Sequence, residues 1–154
     1  MTFPTLEFIH RQQRVSLNNV PPARTLLEIL REELRATDTK EGCASGDCGA
    51  CTVAIRQTFA AASTYRAVVS CLTLAGQLPG TEVWTAEALS PAPGPDGSIA
   101  DLHPVQAAIA DGGGSQCGFC TPGIAMSLFA SYYATVQPES PIAADAAGET
   151  IAGN

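Results

Sequence analysis

Glu41-Gly42-Cys43-Ala44-Ser45-Gly46-Asp47-Cys48-Gly49-Ala50-Cys51 holds the densest chemistry in this chain. Three cysteines stand in the spacing C-x4-C-x2-C, separated only by small residues and one aspartate, and a fourth, Cys71, follows downstream. The flanking segments are periodic. Before the cysteines, Thr25 with Glu28 three residues on is a capping box that starts a helix. Leu27, Leu30 and Leu34 give that helix an apolar stripe, with Leu26 and Ile29 beside it. After the cysteines, alternation predicts strands over 52–57 and 65–70. Cys51 opens the first strand and Cys71 closes the second. The two should therefore lie side by side, because opposed positions in an antiparallel pair are roughly 4.5–5.5 Å apart. Cys43 and Cys48 then wrap the opposite side of whatever the four thiols enclose.

This spacing is that of a plant-type [2Fe–2S] site, which takes four cysteine thiolates. Two ferric ions, two sulfides and four thiolates carry a double negative charge, and reduction adds another. Such a charge calls for backbone N–H donors aimed at the sulfurs. Gly42, Gly46 and Gly49 let the backbone come close and turn where side chains would obstruct it. Structural zinc is the competing assignment. Its usual ligands come as two short C-x2–4-C pairs, whereas only one tight pair exists here. Asp47 reads as a solvated loop residue.

Further out, residues 5–17 read as a hairpin, with Leu6, Phe8, Val15 and Leu17 alternating with polar neighbours. A short strand is predicted near Val83–Thr85. The expectation is an α+β, plant-ferredoxin-like (β-grasp) domain over residues 1–87. A linker over 88–101 follows, containing Ala92-Pro93-Gly94-Pro95-Asp96-Gly97. Residues 102–154 then read as part of an all-α helical bundle, incomplete at its C-terminal end. Pro104 suits a first helical position, and Val105, Ala108 and Ile109 share a face. Gly112-Gly113-Gly114 should end that helix, and Thr121-Pro122 should begin another. In this second helix Ile124, Leu128 and Tyr132 form one side, with Met126, Phe129 and Tyr133 next to it. The intervening loop carries Cys117 and Cys120. A C-x2-C at a helix start also suits a redox dithiol, but that motif normally follows a strand. His103 reads as a helix-start residue, His10 as a strand residue, Trp84 as core or interface, and Tyr132-Tyr133 as helix packing.

The 154 residues are 45% hydrophobic and 15% charged, with a net charge of −7 and 8 basic residues. No basic run invites nucleic acid. No apolar stretch is long enough to span a membrane, and no signal peptide is visible. A cytoplasmic location is expected, and in a reducing compartment six cysteines point to metal ligation before disulfides. No nucleophilic triad, phosphate loop or paired acid–base carboxylates can be defended, so no catalytic residue is assigned.

Four segments together carry a resemblance: 41–55, 65–71, His103-Pro104-Val105-Gln106 and 115–123, extended by Met126-Ser127-Leu128-Phe129-Ala130. They resemble the iron–sulfur part of the molybdenum hydroxylases, and among these the small subunit of bacterial xanthine dehydrogenase. The resemblance implies two [2Fe–2S] clusters. One is held through Cys43, Cys48, Cys51 and Cys71, the other through Cys117, Cys120 and a later C-x-C. It implies that Gln116 contacts the molybdopterin cofactor of a partner subunit or domain. It implies that electrons released by hydroxylation at molybdenum pass through both clusters to FAD and then to NAD. The partners would be a molybdenum-binding large subunit and an FAD-binding domain or subunit. Family members continue past an Ala-Gly-Asn like that of residues 152–154 into the C-x-C, so a truncated chain is expected here, with one complete site and half of another. Related enzymes acting on aldehydes, carbon monoxide or N-heterocycles are the alternative, and a stand-alone ferredoxin-like carrier is an alternative of another class.

Overall fold

A computed structural model describes residues 2–60, 63–90, 102–135 and 150–151. Residues 91–101 of the proposed linker and most of the Pro- and Ala-rich C-terminal stretch lie outside these residues; Ala88 and Leu89, placed in the linker, end a short 3-10 turn over Ala86–Leu89. Five strands, β1 (Leu6–His10), β2 (Gln13–Leu17), β3 (Thr52–Gln57), β4 (Arg66–Val69) and β5 (Thr81–Trp84), form one sheet in the order β2-β1-β5-β3-β4. β1 and β5 run parallel at its centre, and the other pairs are antiparallel. The hairpin keeps the expected register, with Leu6 opposite Leu17 and Phe8 opposite Val15. Its two-residue turn has Arg11 at φ 51° and Gln12 at φ 61°, the doubly left-handed turn that matches the twist of a tight hairpin.

Helix α1 begins at Leu26–Glu28 and widens into a π-helical turn over Ile29–Glu33. The capping box is complete: the Thr25 hydroxyl accepts from the Glu28 N–H, and the Glu28 carboxylate accepts from the Thr25 N–H. Leu26, Ile29 and Leu30 pack with Leu6, Phe8, Val53, Ile55, Leu78 and Val83 in the main core. Leu34 only borders that core, and Leu27 faces the cysteines instead. The inward stripe is Leu26, Ile29 and Leu30 at regular i, i+3, i+4 spacing, which leaves Leu27 to one side; Leu34 follows the wide turn, whose extra residue rotates it off that stripe.

Helix α2 (Pro104–Asp111) starts at Pro104 and stops at the glycines, as expected. The N–H of Gly113 donates to Ala110 O and that of Gly114 to Ile109 O, with Gly113 at φ 62°. This is a Schellman stop, in which the left-handed residue favours glycine. Of the α2 face expected to be apolar, Val105 is buried and Ile109 half-buried, but Ala108 is exposed. Helix α3 (Thr121–Thr135) begins one residue earlier than a Thr121 cap would imply, since the carbonyl of Cys120 accepts from Ile124 N–H at 3.1 Å.

β3 shows how the two halves meet. Thr52, Val53, Ala54 and Ile55 are all buried. An antiparallel strand with one wet face would alternate, so a continuous apolar run means both faces are covered. Val53 and Ile55 point to α1, while Ala54 packs on the other side against Met126, Phe129 and Ala130 of α3. Helix α3 thus lies on the back of the sheet. Trp84 stacks on Phe129 at 6.0 Å between ring centres, and Tyr65 meets Phe129 at 5.0 Å and Tyr133 at 5.5 Å. Ile124, Leu128 and Tyr132 are only half-buried. The helix face that seals the sheet is therefore that of Met126 and Phe129.

Candidate functional site

The first cysteine loop is built from its hydrogen bonds. The N–H groups of Ser45, Asp47 and Cys48 all point at Cys43 Sγ, at 3.4, 3.3 and 3.4 Å. Ala44, Gly46 and Gly49 take positive φ (53°, 83° and 68°), which turns those donors inward. Gly42 serves by closeness: a Cβ there would sit 2.7 Å from Cys48 Sγ. At Gly46 a Cβ would meet Leu72 Cδ1 at 2.3 Å. Hydrogen bonds from the Ser45 hydroxyl and from the backbone of Ser45, Cys48 and Asp47 lower the Cys43 pKa to about 5. Cys43 is thus an ionised thiolate at neutral pH, the form that binds metal.

Cys51 and Cys71 form the opposite, buried wall, with Leu27 and Val69 against them. The ladder pairs Thr52 with Val69, and the Ser70 N–H donates to Cys51 O at 3.2 Å. Ser70, not Cys71, is therefore the residue across from Cys51. Cys71 reaches Cys51 because the chain turns there, with Leu72 N–H donating to Val69 O. Helix α1 pins this turn: Leu27 N–H donates to Ser70 O and Leu26 N–H to Thr73 O. These are first-turn donors without partners in their own helix. Burial, then the neighbouring Cys51 thiol, pushes the Cys71 thiol up to about 11, while the Gly46 N–H works the other way.

The donor set fits a [2Fe–2S] cluster. Four thiols converge, two buried below and two in a loop rich in inward N–H groups, which is the environment an anionic cluster requires. Among the described residues, no three His, Cys, Asp or Glu side chains gather tightly enough for a single metal ion.

The second loop is different. Cys117 and Cys120 are both exposed, as is Gln116. Gly118 turns at φ 80°, and the Ser115 and Thr121 hydroxyls close the loop at 2.8 Å. Two thiols at the first turn of α3 are half of a cluster's donor set. The loop sits against the first one. A Cβ on Gly123 would lie 2.2 Å from the Gly49 carbonyl oxygen, and a Cβ on Gly42 would lie 3.6 Å from a ring carbon of Phe119. The expected site residues therefore fall into two neighbouring groups. Sequence patterns missed Phe119 and Gly123 as their link. The available hint was a glycine inside a helix, which costs about 0.5–1 kcal/mol relative to alanine unless something else needs the space.

His103 caps α2, its Nδ1 accepting from Val105 N–H at 3.2 Å. Gln106 completes the box and reaches back to the 3-10 turn that follows β5, its Nε2 donating to Ala86 O at 3.0 Å. A cavity of about 750 Å³ is lined by Arg11, Arg56, Tyr65, Trp84, His103 and Tyr133 among others, with no cysteine in its lining. Among the described residues, no helix is long and apolar enough to cross a membrane.

Comparison with known proteins agrees with this construction. A family model for a 2Fe-2S iron-sulfur cluster binding domain matches residues 8–76, and one for a [2Fe-2S] binding domain matches residues 85–154. Two [2Fe–2S]-binding domains in series define an iron–sulfur electron-transfer protein. Xanthine dehydrogenase of Calliphora vicina is 43% identical over 89% of this chain and 10% of its own length. Aldehyde oxidase 1 of Rattus norvegicus is 42% identical over 96% of this chain and 11% of its own. Quinoline 2-oxidoreductase from Pseudomonas putida superposes with a TM-score of 0.77 at 29% identity, covering 99% of this chain and 82% of that one. Aldehyde oxidoreductase from Desulfovibrio desulfuricans gives 0.70 at 33% identity, over 86% and 13%. The chain belongs to the molybdenum hydroxylases, the family of xanthine dehydrogenase and aldehyde oxidase, as an iron–sulfur part of such an enzyme. It spans about a tenth of the length of these curated relatives.

Proposed function

We propose that this chain relays single electrons from a molybdenum site on a partner subunit or domain toward FAD, and from there to NAD, in an enzyme of the xanthine dehydrogenase type. A bound [2Fe–2S] cluster would supply one-electron storage at each of two sites. Cys43, Cys48, Cys51 and Cys71 hold the first, and Cys117 and Cys120 supply half of the second. The N–H groups of Ser45, Asp47 and Cys48 bear the negative charge at the first site, and Gly42, Gly46 and Gly49 make room for it. Gln116, exposed beside Cys117, is the contact to the molybdopterin cofactor. The ferredoxin-type domain spans 1–87, the linker 88–101 and the helical part 102–154, in a cytoplasmic enzyme whose partners carry molybdenum and FAD.

The observation that carries this reading is the packing of the second cysteine loop on the first through Gly123 and Phe119. A free ferredoxin-like carrier has no use for a second thiol pair held at that position. Oxidation of aldehydes, carbon monoxide or N-heterocycles by the partner is the alternative, and the fit to quinoline 2-oxidoreductase over 82% of that chain favours the N-heterocycle as a second reading. Expression with the neighbouring genes tests the proposal. The chain should copurify with a molybdenum-containing partner, and Gln116→Ala should keep iron content while slowing reduction of the clusters by substrate. A colourless, zinc-containing monomer would overturn it.

A further inference from the structure

We propose that Phe119 and Gly123 are positioning residues that clamp the two cysteine loops together and set the separation of the two metal sites. This rests on the reading that both loops hold clusters. Gly123 lies in the first turn of α3, two residues after Thr121 and three after Cys120. Its missing side chain lets the backbone of that turn lie directly on the first loop: a Cβ would stand 2.2 Å from Gly49 O, 3.1 Å from Gly49 C and 3.2 Å from Ala50 Cα. All three neighbours are backbone atoms, which cannot rotate away as a flexible side chain would. Gly49 and Ala50 in turn sit between the ligand candidates Cys48 and Cys51. Any displacement at Gly123 is therefore passed to both ligand sets at once.

Phe119 makes the second point of the clamp. It stands between Cys117 and Cys120 and remains 47% exposed, so the core does not hold it. Its ring lies 3.6 Å from where a Cβ on Gly42, the residue before Cys43, would stand, and that same Cβ would meet Cys48 Sγ at 2.7 Å. Two contacts at two points fix both the distance and the tilt of one loop on the other. Farther along, α3 is anchored separately by Met126, Phe129 and Ala130 against Ala54, Tyr65 and Trp84. Loosening the first turn therefore shifts the second loop without undocking the helix.

The test uses the holoenzyme purified with its partner chains and carrying both clusters, its iron and sulfide content and visible spectrum being measured first. After reduction with dithionite, low-temperature EPR reads the spin–spin splitting between the two reduced sites, which falls steeply with their separation. Gly123→Ala and Phe119→Ala should keep the iron content of the parent protein and lose most of that splitting, whereas Phe119→Tyr should retain it. Unchanged splitting in both alanine variants overturns the clamp while leaving the cluster assignment intact. Loss of iron in Gly123→Ala with parent-like splitting in Phe119→Ala also overturns it, since Gly123 would then serve cluster retention alone. A holoenzyme without two reducible clusters overturns the underlying reading itself.

Discussion

The two cysteine loops of this chain are opposites in construction. The first is preorganised: two thiols are buried against Leu27 and Val69, and the other side is a loop whose N–H groups converge on Cys43. The second presents both thiols at the surface and is held by one hydroxyl pair and by its contacts with the first. The first loop belongs to a sheet with its own core, so the fold itself shapes the donor set. The second loop borrows its position from a neighbour. Binding at the first site should therefore be coupled to folding, and binding at the second to docking.

The sharpest way to break this contrast is a pair of ligand changes. Cys51→Ser should lose the first cluster and destabilise the whole N-terminal half, because metal ligation and local folding are coupled. Cys117→Ser should lose only the second cluster and leave the thermal unfolding of the sheet nearly unchanged. Iron content and circular dichroism melting decide, and equal destabilisation would erase the distinction.

A slightly smaller effect is expected from Phe129→Ala, which removes the ring stacked between Trp84 and Tyr65. A buried aromatic truncation costs about 3–5 kcal/mol, and here the loss should appear in denaturant titrations as undocking of α3. Trp84 fluorescence should change first, since its ring faces Phe129.

The third probe is confined to the first region. His10 is buried in β1, with its Nε2 lacking a hydrogen-bond partner. Burial lowers its pKa to about 4, Asp38 opposing the shift and Arg11 reinforcing it. The unfolded chain binds the proton near the ordinary value of about 6.5. The neutral ring therefore contributes fully above pH 6.5, and its contribution is lost as pH falls toward 4, by about 3 kcal/mol. Urea unfolding at pH 7 and pH 4 should show this loss, and His10→Leu should remove most of it. A variant as acid-sensitive as the parent would place the effect elsewhere.

The smallest expected effect is at the seam between α2 and the 3-10 turn after β5. Gln106→Ala removes both the capping box of α2 and the bond to Ala86 O. A loss of about 1 kcal/mol is expected, with no change at the first cluster.

Much of the fold was legible because its signals are local. The hairpin, the Thr25–Glu28 capping box, Pro104 at a helix start and the glycine stop of α2 each encode a backbone conformation within a few residues. Other features were misjudged. Leu27 lies beside the Leu26–Ile29–Leu30 stripe and faces the cysteines, and Ser70 took the place opposite Cys51 that simple strand counting assigns to Cys71. The run Thr52–Ile55 held a readable sign, since four consecutive buried positions in an antiparallel strand require a second cover.

The sequence by itself determined the donor set and the chemistry it suits, because thiol number, spacing and glycine placement are local properties of the chain. Only the tertiary structure decided that α3 closes the back of the sheet and that Gly123 and Phe119 rest on the first loop. The physical reason is that contact between two distant loops has no local code. It depends on which surfaces remain to be buried once every element has formed.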